Sequence, residues 1–365
     1  MDRIFTLVAQ GFSVAFTAAL VVVPLCSALA LRLGVVDKPG GRKQHGKVTP
    51  LLGGAGVFLA AVAGVAVVRW QTAAVASLDL QFGQIGFVMA AGVIMFLIGL
   101  VDDVFKDRLP FQLKLLGQIL GVLVLMGPQL ADLITHGGPP GRWLYQLFFL
   151  GWYLTIVNSF NFSDNMNGLM AGLSVIAFSA SVVYLGSEGS LRSLVIAVVL
   201  AGALLGFLPY NFPRARVFLG DAGSMFTGFW MAWIQLTLSR GFLGEVPEGD
   251  LGVSNLIPAV LIMGVPLYDA AFVVFMRIVD RRPVYLGDNH HLSHRLVRGG
   301  FTPVEAVVIL WGIGILLAGV GVLAVFAQPS YRYLLLAASV GMMIAVTRVV
   351  MHFERRALAA SAPPA

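Results

Sequence analysis

The sequence is poor in charged side chains and in cysteine. Charged residues make up only 12% of the 365 residues, about half the usual fraction of a soluble domain, whereas 58% are hydrophobic. The mean hydropathy of +0.87 indicates a polytopic membrane protein, and we expect one membrane domain over residues 1–365. The single cysteine, Cys26, excludes an internal disulfide framework. The net charge of +6 does not indicate a nucleic-acid partner, because in such a protein it reflects where the loops lie.

Long apolar runs dominate the chain and predict an all-α fold with about eleven transmembrane helices. A run of about 20 apolar residues can cross a bilayer. The first run is too long for the core of a signal peptide, so we expect it to be a retained span. The runs lie near residues 5–31, 51–69, 84–101, 113–131, 143–160, 168–186, 192–209, 222–238, 254–276, 304–327 and 331–350. Glycines within them, such as Gly202 and Gly206, predict close helix packing.

Basic residues are distributed unequally between the two sets of connections. Of the 24 Lys and Arg residues, 18 lie in the first, third, seventh and ninth connections and at the C-terminal end. The positive-inside rule therefore predicts an N-terminus outside and a cytoplasmic C-terminus. An odd number of spans agrees with this orientation.

Two adjacent aspartates stand at the cytoplasmic end of the third run. Asp102 and Asp103 lie where a membrane helix meets water, and Lys114 opens the next run. Neighbouring carboxylates repel, so we expect them to share a cation, which could be Mg²⁺, a lysine or both. A lysine inside a span costs about 2.5–3.5 kcal/mol at mid-helix, so Lys114 either reaches the interface or pairs with a carboxylate or phosphate. Two solvated carboxylates that end a helix are the simpler alternative.

Three more polar clusters gather on the same predicted face. The connection 37–49 combines glycine, proline and cations, which suits an anionic ligand such as phosphate or simple positive-inside anchoring. The stretch 158–168 is rich in Asn and Asp, which can contact a base edge, ligate a hard cation or form turns and caps. Asp221 stands between glycines at the start of the eighth run, either beside a ligand or as a helix N-cap.

A histidine-rich cluster lies in the longest cytoplasmic connection, where residues 288–295 read DNHHLSHR. The cluster lacks a cysteine partner and the HExxH spacing of zinc sites. Contact of His and Arg with phosphate oxygens therefore fits better than zinc. Upstream, Asp269 in the ninth run either pairs with Arg277 or helps to shape the site.

Five ordered motifs resemble those of the polyprenyl-phosphate N-acetylhexosamine-1-phosphate transferase family, over nearly the whole chain. The similarity is to the bacterial undecaprenyl-phosphate GlcNAc-1-phosphate transferases, of glycosyltransferase family 4 type. The motifs are Asp37-x-Pro39-xx-Arg42-Lys43-x-His45 with Pro50 and Gly53-Gly54, Asp102-Asp103 with Leu109 and Lys114, Asn158-xx-Asn161-xx-Asp164 with Gly168-Leu169, Phe218-Leu219-Gly220-Asp221-Ala222-Gly223-Ser224, and Asp288-xx-His291-x-Ser293-His294-x-Leu296.

The resemblance implies an enzyme that transfers N-acetylhexosamine 1-phosphate, with GlcNAc-1-phosphate expected, from a UDP-sugar to undecaprenyl phosphate. It implies Mg²⁺, with Mn²⁺ as a substitute, on Asp221 and Asn161, and it places Asp102 and Asp103 at the lipid phosphate. The implied substrate-binding residues are Arg42, Lys43, His45, Lys114, Asp164, Asn167, His291 and His294.

The implied partners are the UDP-N-acetylhexosamine, undecaprenyl phosphate and membrane lipids, and a homodimer is left open. The implied location is the bacterial inner membrane, with the active site on the cytoplasmic face. The reaction would be the first membrane step of cell-envelope polysaccharide synthesis.

The chain departs from the family pattern at two positions. The third motif commonly reads Asp-Gly-x-Asp-Gly, and here Asn167 replaces the second aspartate. Asparagine cannot supply negative charge, but it can contact a uracil edge. Ser293 stands where the family often has histidine, so no role is assigned to it. The triple-histidine form of the peptidoglycan-precursor branch is absent, which argues against a UDP-MurNAc-pentapeptide substrate.

Two other functional classes fit part of the pattern. A secondary transporter also carries intramembrane charge and glycine-broken helices. It should place charge at mid-bilayer and often shows two related halves, whereas here the charges cluster at one face and no repeat is found. A non-catalytic membrane scaffold would not need five polar clusters on one face.

Overall fold

The fold is built almost entirely of α-helices. A computed structural model describes residues 2–38, 48–73, 85–105, 109–188, 191–239, 253–283 and 290–361. The helices are α1 (Asp2–Leu33), α2 (Gly53–Ala73), α3 (Gly86–Val104), α4 (Phe111–His136), α5 (Pro140–Ser163), α6 (Leu169–Glu188), α7 (Leu191–Asn211), α8 (Gly220–Leu238), α9 (Ile257–Ile262), α10 (Gly264–Val279), α11 (Leu292–Arg298), α12 (Pro303–Phe326) and α13 (Pro329–Ser361).

Every apolar run identified in the sequence is helical, which confirms an all-α polytopic membrane protein. Within the described part of the chain, eight helices are long and apolar enough to cross a membrane: α1, α2, α3, α4, α6, α7, α12 and α13. The ninth run is broken: a 3₁₀ turn (Val253–Leu256) continues into α9, and this segment meets α10 at a bend of 93°. Helices α5 and α8, of 24 and 19 residues, are long enough to cross but less apolar, and they are not among these eight. The count of eleven crossings and the orientation stay predictions.

Helix α8 occupies the centre of the bundle and carries the predicted aspartate at its start. It packs against α2, α3 and α5, and most of its side chains are buried. On one side of it, α1 packs against α2 and α7. A Cβ on Gly202 would lie 2.7 Å from the carbonyl oxygen of Phe12. The packing role predicted for this glycine is therefore confirmed.

A short antiparallel strand pair lies beside the segment that leads into α8. Strand β1 (Val36–Asp37) pairs with β2 (Thr49–Pro50), and the backbone N–H of Phe218 donates to the carbonyl of Pro50 at 2.8 Å. Beyond β2, the backbone N–H groups of Gly53 and Gly54 donate to the carbonyls of Phe218 and Leu219, at 3.1 and 2.8 Å. The first and fourth motifs, about 170 residues apart, are thus joined through the backbone.

Candidate active site

The N-terminus of α8 is capped by a carboxylate that comes from α3. Asp103 Oδ1 accepts the backbone N–H of Asp221 at 2.9 Å, and its Oδ2 accepts that of Ala222 at 3.0 Å. These two N–H groups have no partner inside the helix, and negative charge at this end is favourable. Asp103 therefore fixes where the helix begins.

Glycine at the crossing of α3 and α8 permits this close approach. Gly220 has φ +72°, and a Cβ there would lie 2.5 Å from Asp103 Oδ2. A Cβ on Gly99, one turn earlier in α3, would collide with the carbonyl of Asp221. Any larger side chain at either position would push the two aspartate motifs apart.

Lys114 is the centre of the charged cluster. Its Nζ donates to Asp102 Oδ2 at 3.0 Å and to Asn161 Oδ1 at 3.3 Å, and it forms an ion pair with Asp221. Lys114 therefore pairs with carboxylates rather than extending away from them. Its three partners come from α3, α5 and α8, so one cation ties together the second, third and fourth motifs.

Asn161 is held by a second layer of polar contacts. Its Nδ2 donates to Asp221 Oδ1 and to Ser224 Oγ, both at 2.9 Å. This orientation directs the amide oxygen toward Lys114 and the amide nitrogen toward α8. One turn earlier, Asn158 donates to the buried Gln118 of α4 at 2.8 Å, which links α4 and α5 beneath the cluster.

Asn211 connects the third and fourth motifs, and the sequence analysis missed it. Its Oδ1 accepts the backbone N–H of Gly168 at 2.5 Å, while its Nδ2 donates to the carbonyl of Val217 at 2.9 Å. Gly168 has φ +78°, which favours glycine. The Asn211 side chain is buried. In the sequence it is a polar residue at the end of an apolar run, a pattern that equally predicts a turn.

The histidine loop is fixed by several elements. His291 Nδ1 contacts Asp269 Oδ2 at 2.6 Å, and Ser293 Oγ donates to Asn165 Oδ1 at 2.7 Å. Asp269 thus contacts the histidine loop and helps to shape it. At the other end of α11, Glu354 of α13 pairs with Arg295 at 2.7 Å and with Arg298 at 2.6 Å.

The structure describes some of the remaining predicted site residues and not others. Asn167 is partly buried in the loop that Asn211 holds, and the ring of His294 lies 6.2 Å from that of His291. Arg42, Lys43 and His45 lie outside the described residues, so their predicted substrate contacts stay predictions. The same holds for Asp288 in the histidine motif.

Asp164 has an unusual electrostatic environment. Withdrawal from water and the nearby charge of Asp221 raise the pKa of Asp164 to about 7, while the nearby backbone N–H of Gly220 opposes this rise. A carboxyl group in this range changes its charge readily when a cation approaches.

The oxygens around Lys114 suit a hard cation. Asp102, Asn161 and Asp221 all direct oxygen atoms at the Lys114 ammonium group, and Mg²⁺ prefers oxygen ligands. Among the described residues, no group of three or more His, Cys, Asp or Glu side chains is arranged for a metal ion. The candidate set therefore depends on the Asn161 amide together with the two carboxylates.

A comparison with protein-family models and a comparison with known proteins agree. The model of the family described as "Glycosyl transferase family 4" matches residues 84–239. A Mycolicibacterium smegmatis protein named decaprenyl-phosphate N-acetylglucosaminephosphotransferase is 33% identical, over 88% of this chain and 83% of its own. The chain belongs to the polyprenyl-phosphate N-acetylglucosamine-1-phosphate transferase family.

Two other relatives carry related names. A Bacillus subtilis protein named as a probable undecaprenyl-phosphate N-acetylglucosaminyl 1-phosphate transferase is 31% identical, over 86% of this chain and 84% of its own. The Escherichia coli K12 undecaprenyl-phosphate alpha-N-acetylglucosaminyl 1-phosphate transferase is 29% identical, over 82% and 79%. Membership of the polyprenyl-phosphate N-acetylglucosamine-1-phosphate transferase family gives no support to the transporter interpretation.

Proposed function

We propose that the protein transfers N-acetylglucosamine 1-phosphate from UDP-N-acetylglucosamine to undecaprenyl phosphate. An oxygen of the lipid phosphate attacks the sugar-linked phosphorus of the UDP-sugar. The bond from that phosphorus to the bridging oxygen breaks, so the products are undecaprenyl diphospho-N-acetylglucosamine and UMP. The observation that carries the proposal is the convergence of Asp102, Lys114, Asn161 and Asp221, from four helices, within one charged cluster.

The two adjacent aspartates have different tasks in this proposal. Asp102 is partly exposed and pairs with Lys114, so it can face the lipid phosphate. Asp103 is buried, and both of its oxygens hold the start of α8, so it acts by positioning Asp221. A phosphate monoester is largely dianionic at neutral pH because its second pKa is near 6. Orienting the lipid phosphate is therefore a larger task for Asp102 than removing a proton.

Asp221 and Asn161 would hold Mg²⁺, with Asp102 nearby. When bound, such an ion offsets the charge that develops on the phosphate oxygens and on the leaving group. Lys114 contacts the same oxygens, so with an ion held by these residues its ammonium group would be available to a phosphate oxygen. In this proposal His291 and His294 would contact phosphate oxygens, and Ser293 between them bonds to Asn165 of the third motif.

The proposed location is the bacterial inner membrane, with the charged cluster on the cytoplasmic face. We expect tags placed in the 37–49 and 280–300 connections to be shielded from membrane-impermeant reagents in intact cells. A tag in the acidic connection 241–255 should react, because that connection is on the opposite side in the positive-inside assignment. Reaction of all three tags would overturn the orientation.

Asn167 is the position where the chain departs from the family motif, and we propose that it contacts the uracil edge. Asn167→Ala would then remove contacts made equally in the ground and transition states. The KM for the UDP-sugar should rise a few-fold to about tenfold with kcat nearly unchanged, because a neutral hydrogen bond is worth about 0.5–1.5 kcal/mol. Steady-state kinetics at two Mg²⁺ concentrations measures this. A collapse of kcat that extra Mg²⁺ partly restores would instead make Asn167 a metal ligand.

Release of UMP by the purified protein tests the function. The assay contains undecaprenyl phosphate, UDP-N-acetylglucosamine and Mg²⁺, and it omits each component in turn. UDP-N-acetylgalactosamine in a parallel arm determines which N-acetylhexosamine is used.

A further inference from the structure

A buried aspartate–histidine pair joins the broken membrane helix to the histidine loop. Asp269 Oδ2 lies 2.6 Å from His291 Nδ1, and Asp269 Oδ1 accepts the backbone N–H of Leu292 at 2.8 Å. The two residues are 6% and 5% exposed. Both carboxylate oxygens are therefore engaged in a site from which water is largely excluded.

This geometry decides which ring nitrogen of His291 carries a proton. An ionised carboxylate can only accept hydrogen bonds, so Nδ1 must donate to Asp269. The bond from the Leu292 N–H prevents the carboxylate from turning away. Nε2 is thereby the ring nitrogen that can contact a substrate.

The surroundings of the pair fix the ring relative to the rest of the site. Ser293, two residues on, donates to Asn165 in the third motif at 2.7 Å. Glu354 anchors α11 separately, through Arg295 and Arg298, and does not contact His291. The orientation of His291 is thus set against the same loop that holds Asp164 and Asn167.

We propose that Asp269 is a positioning residue for phosphate recognition. It holds His291 with Nδ1 protonated, so that Nε2 of the imidazolium donates to a phosphate oxygen of a substrate. The carboxylate also stabilises the positive charge that makes this donor effective against a phosphate. The inference rests on the proposed function, and it adds a residue outside the five motifs to the phosphate-binding machinery.

Asp269→Asn tests the proposal. The amide keeps one oxygen, which the Leu292 N–H requires, and places its NH₂ group against His291 Nδ1. Nδ1 then accepts a hydrogen bond, so the neutral His291 ring carries its proton on Nε2. The positively charged ring is no longer stabilised by a carboxylate. We expect kcat/KM to fall about 10- to 100-fold, by analogy with the loss of carboxylate partners from metal-ligating histidines. The substrate whose KM rises, UDP-sugar or lipid phosphate, identifies the phosphate that His291 contacts.

Nitrogen-15 NMR of labelled histidine gives a readout that a merely structural role would not move. The chain has six histidines, so comparison with His291→Gln assigns the His291 signals. In the parent protein Nδ1 should be protonated, and in Asp269→Asn the neutral ring should carry its proton on Nε2. A parent protein whose neutral His291 is protonated on Nε2 overturns the proposal, even where Asp269→Asn does not fold.

Glu354→Gln is the matched control, because Glu354 is a buried carboxylate that anchors the same helix without contacting His291. It should lower the unfolding temperature but leave the His291 signals and both KM values within about twofold. If Asp269→Asn behaves in the same way, Asp269 is a structural anchor and the proposal is wrong. Absence of UMP release by the parent protein would instead reject the proposed function, while the NMR result still decides the Asp269–His291 pair.

Discussion

Asp221→Asn should lower the rate of UMP release about a thousandfold while the protein still inserts and folds. The Asp221 carboxylate belongs to the charged cluster, where it pairs with Lys114 and accepts a hydrogen bond from Asn161. A metal ion at a phosphoryl centre supplies several kcal/mol of charge stabilisation, and about 1.4 kcal/mol corresponds to a factor of ten in rate. The asparagine is isosteric, so the change removes charge and leaves the packing in place.

Asp132→Asn is the control for this experiment. Asp132 is an exposed aspartate near the C-terminal end of α4, at the opposite end from Lys114, and it pairs with Arg142. Surface ion pairs contribute little to stability, so this variant should keep the parent rate. If Asp221→Asn stays within a few-fold of the parent, Asp221 is not a metal ligand in this protein.

Asp103→Asn should lose both stability and activity, whereas Asp102→Asn should lose activity alone. Asparagine at position 103 offers one acceptor oxygen to the two backbone N–H groups of Asp221 and Ala222, so one buried donor loses its partner. Such a loss costs about 1–3 kcal/mol of unfolding free energy. At position 102 the amide oxygen can still accept from Lys114, and the start of α8 is untouched.

Chemical denaturation in detergent and UMP release from the same preparations measure the two effects. Full stability of Asp103→Asn together with lost turnover would mean that Asp103 acts on the substrate. Equal destabilisation of both variants would show that the proposed division between the two aspartates is wrong.

The sequence predicted the helices well because each apolar run is long and ends at polar or glycine-rich residues. It also identified Asp102, Lys114, Asn161 and Asp221, which the structure brings into contact. It could not separate the tasks of Asp102 and Asp103. Successive residues on a helix point about 100° apart, and which of them faces α8 depends on the glycine crossing at Gly220.

The contacts of Asn211 and Asp269 could not be predicted from sequence patterns, for a different reason. Asn211 bonds to backbone groups on either side of it, at Gly168 and Val217. Asp269 reaches His291 across a helix end and the connection that follows it. Such pairings are set by the packing of α7 and α10, and neither has a characteristic spacing along the chain.

The measurement that tests the central claim most directly is UMP release by the purified parent protein supplied with undecaprenyl phosphate, UDP-N-acetylglucosamine and Mg²⁺. The account predicts UMP together with an equal amount of lipid-linked diphospho-sugar, and neither product when the lipid phosphate is omitted. UMP formed without the lipid phosphate, or no UMP from folded protein with all components present, would contradict it.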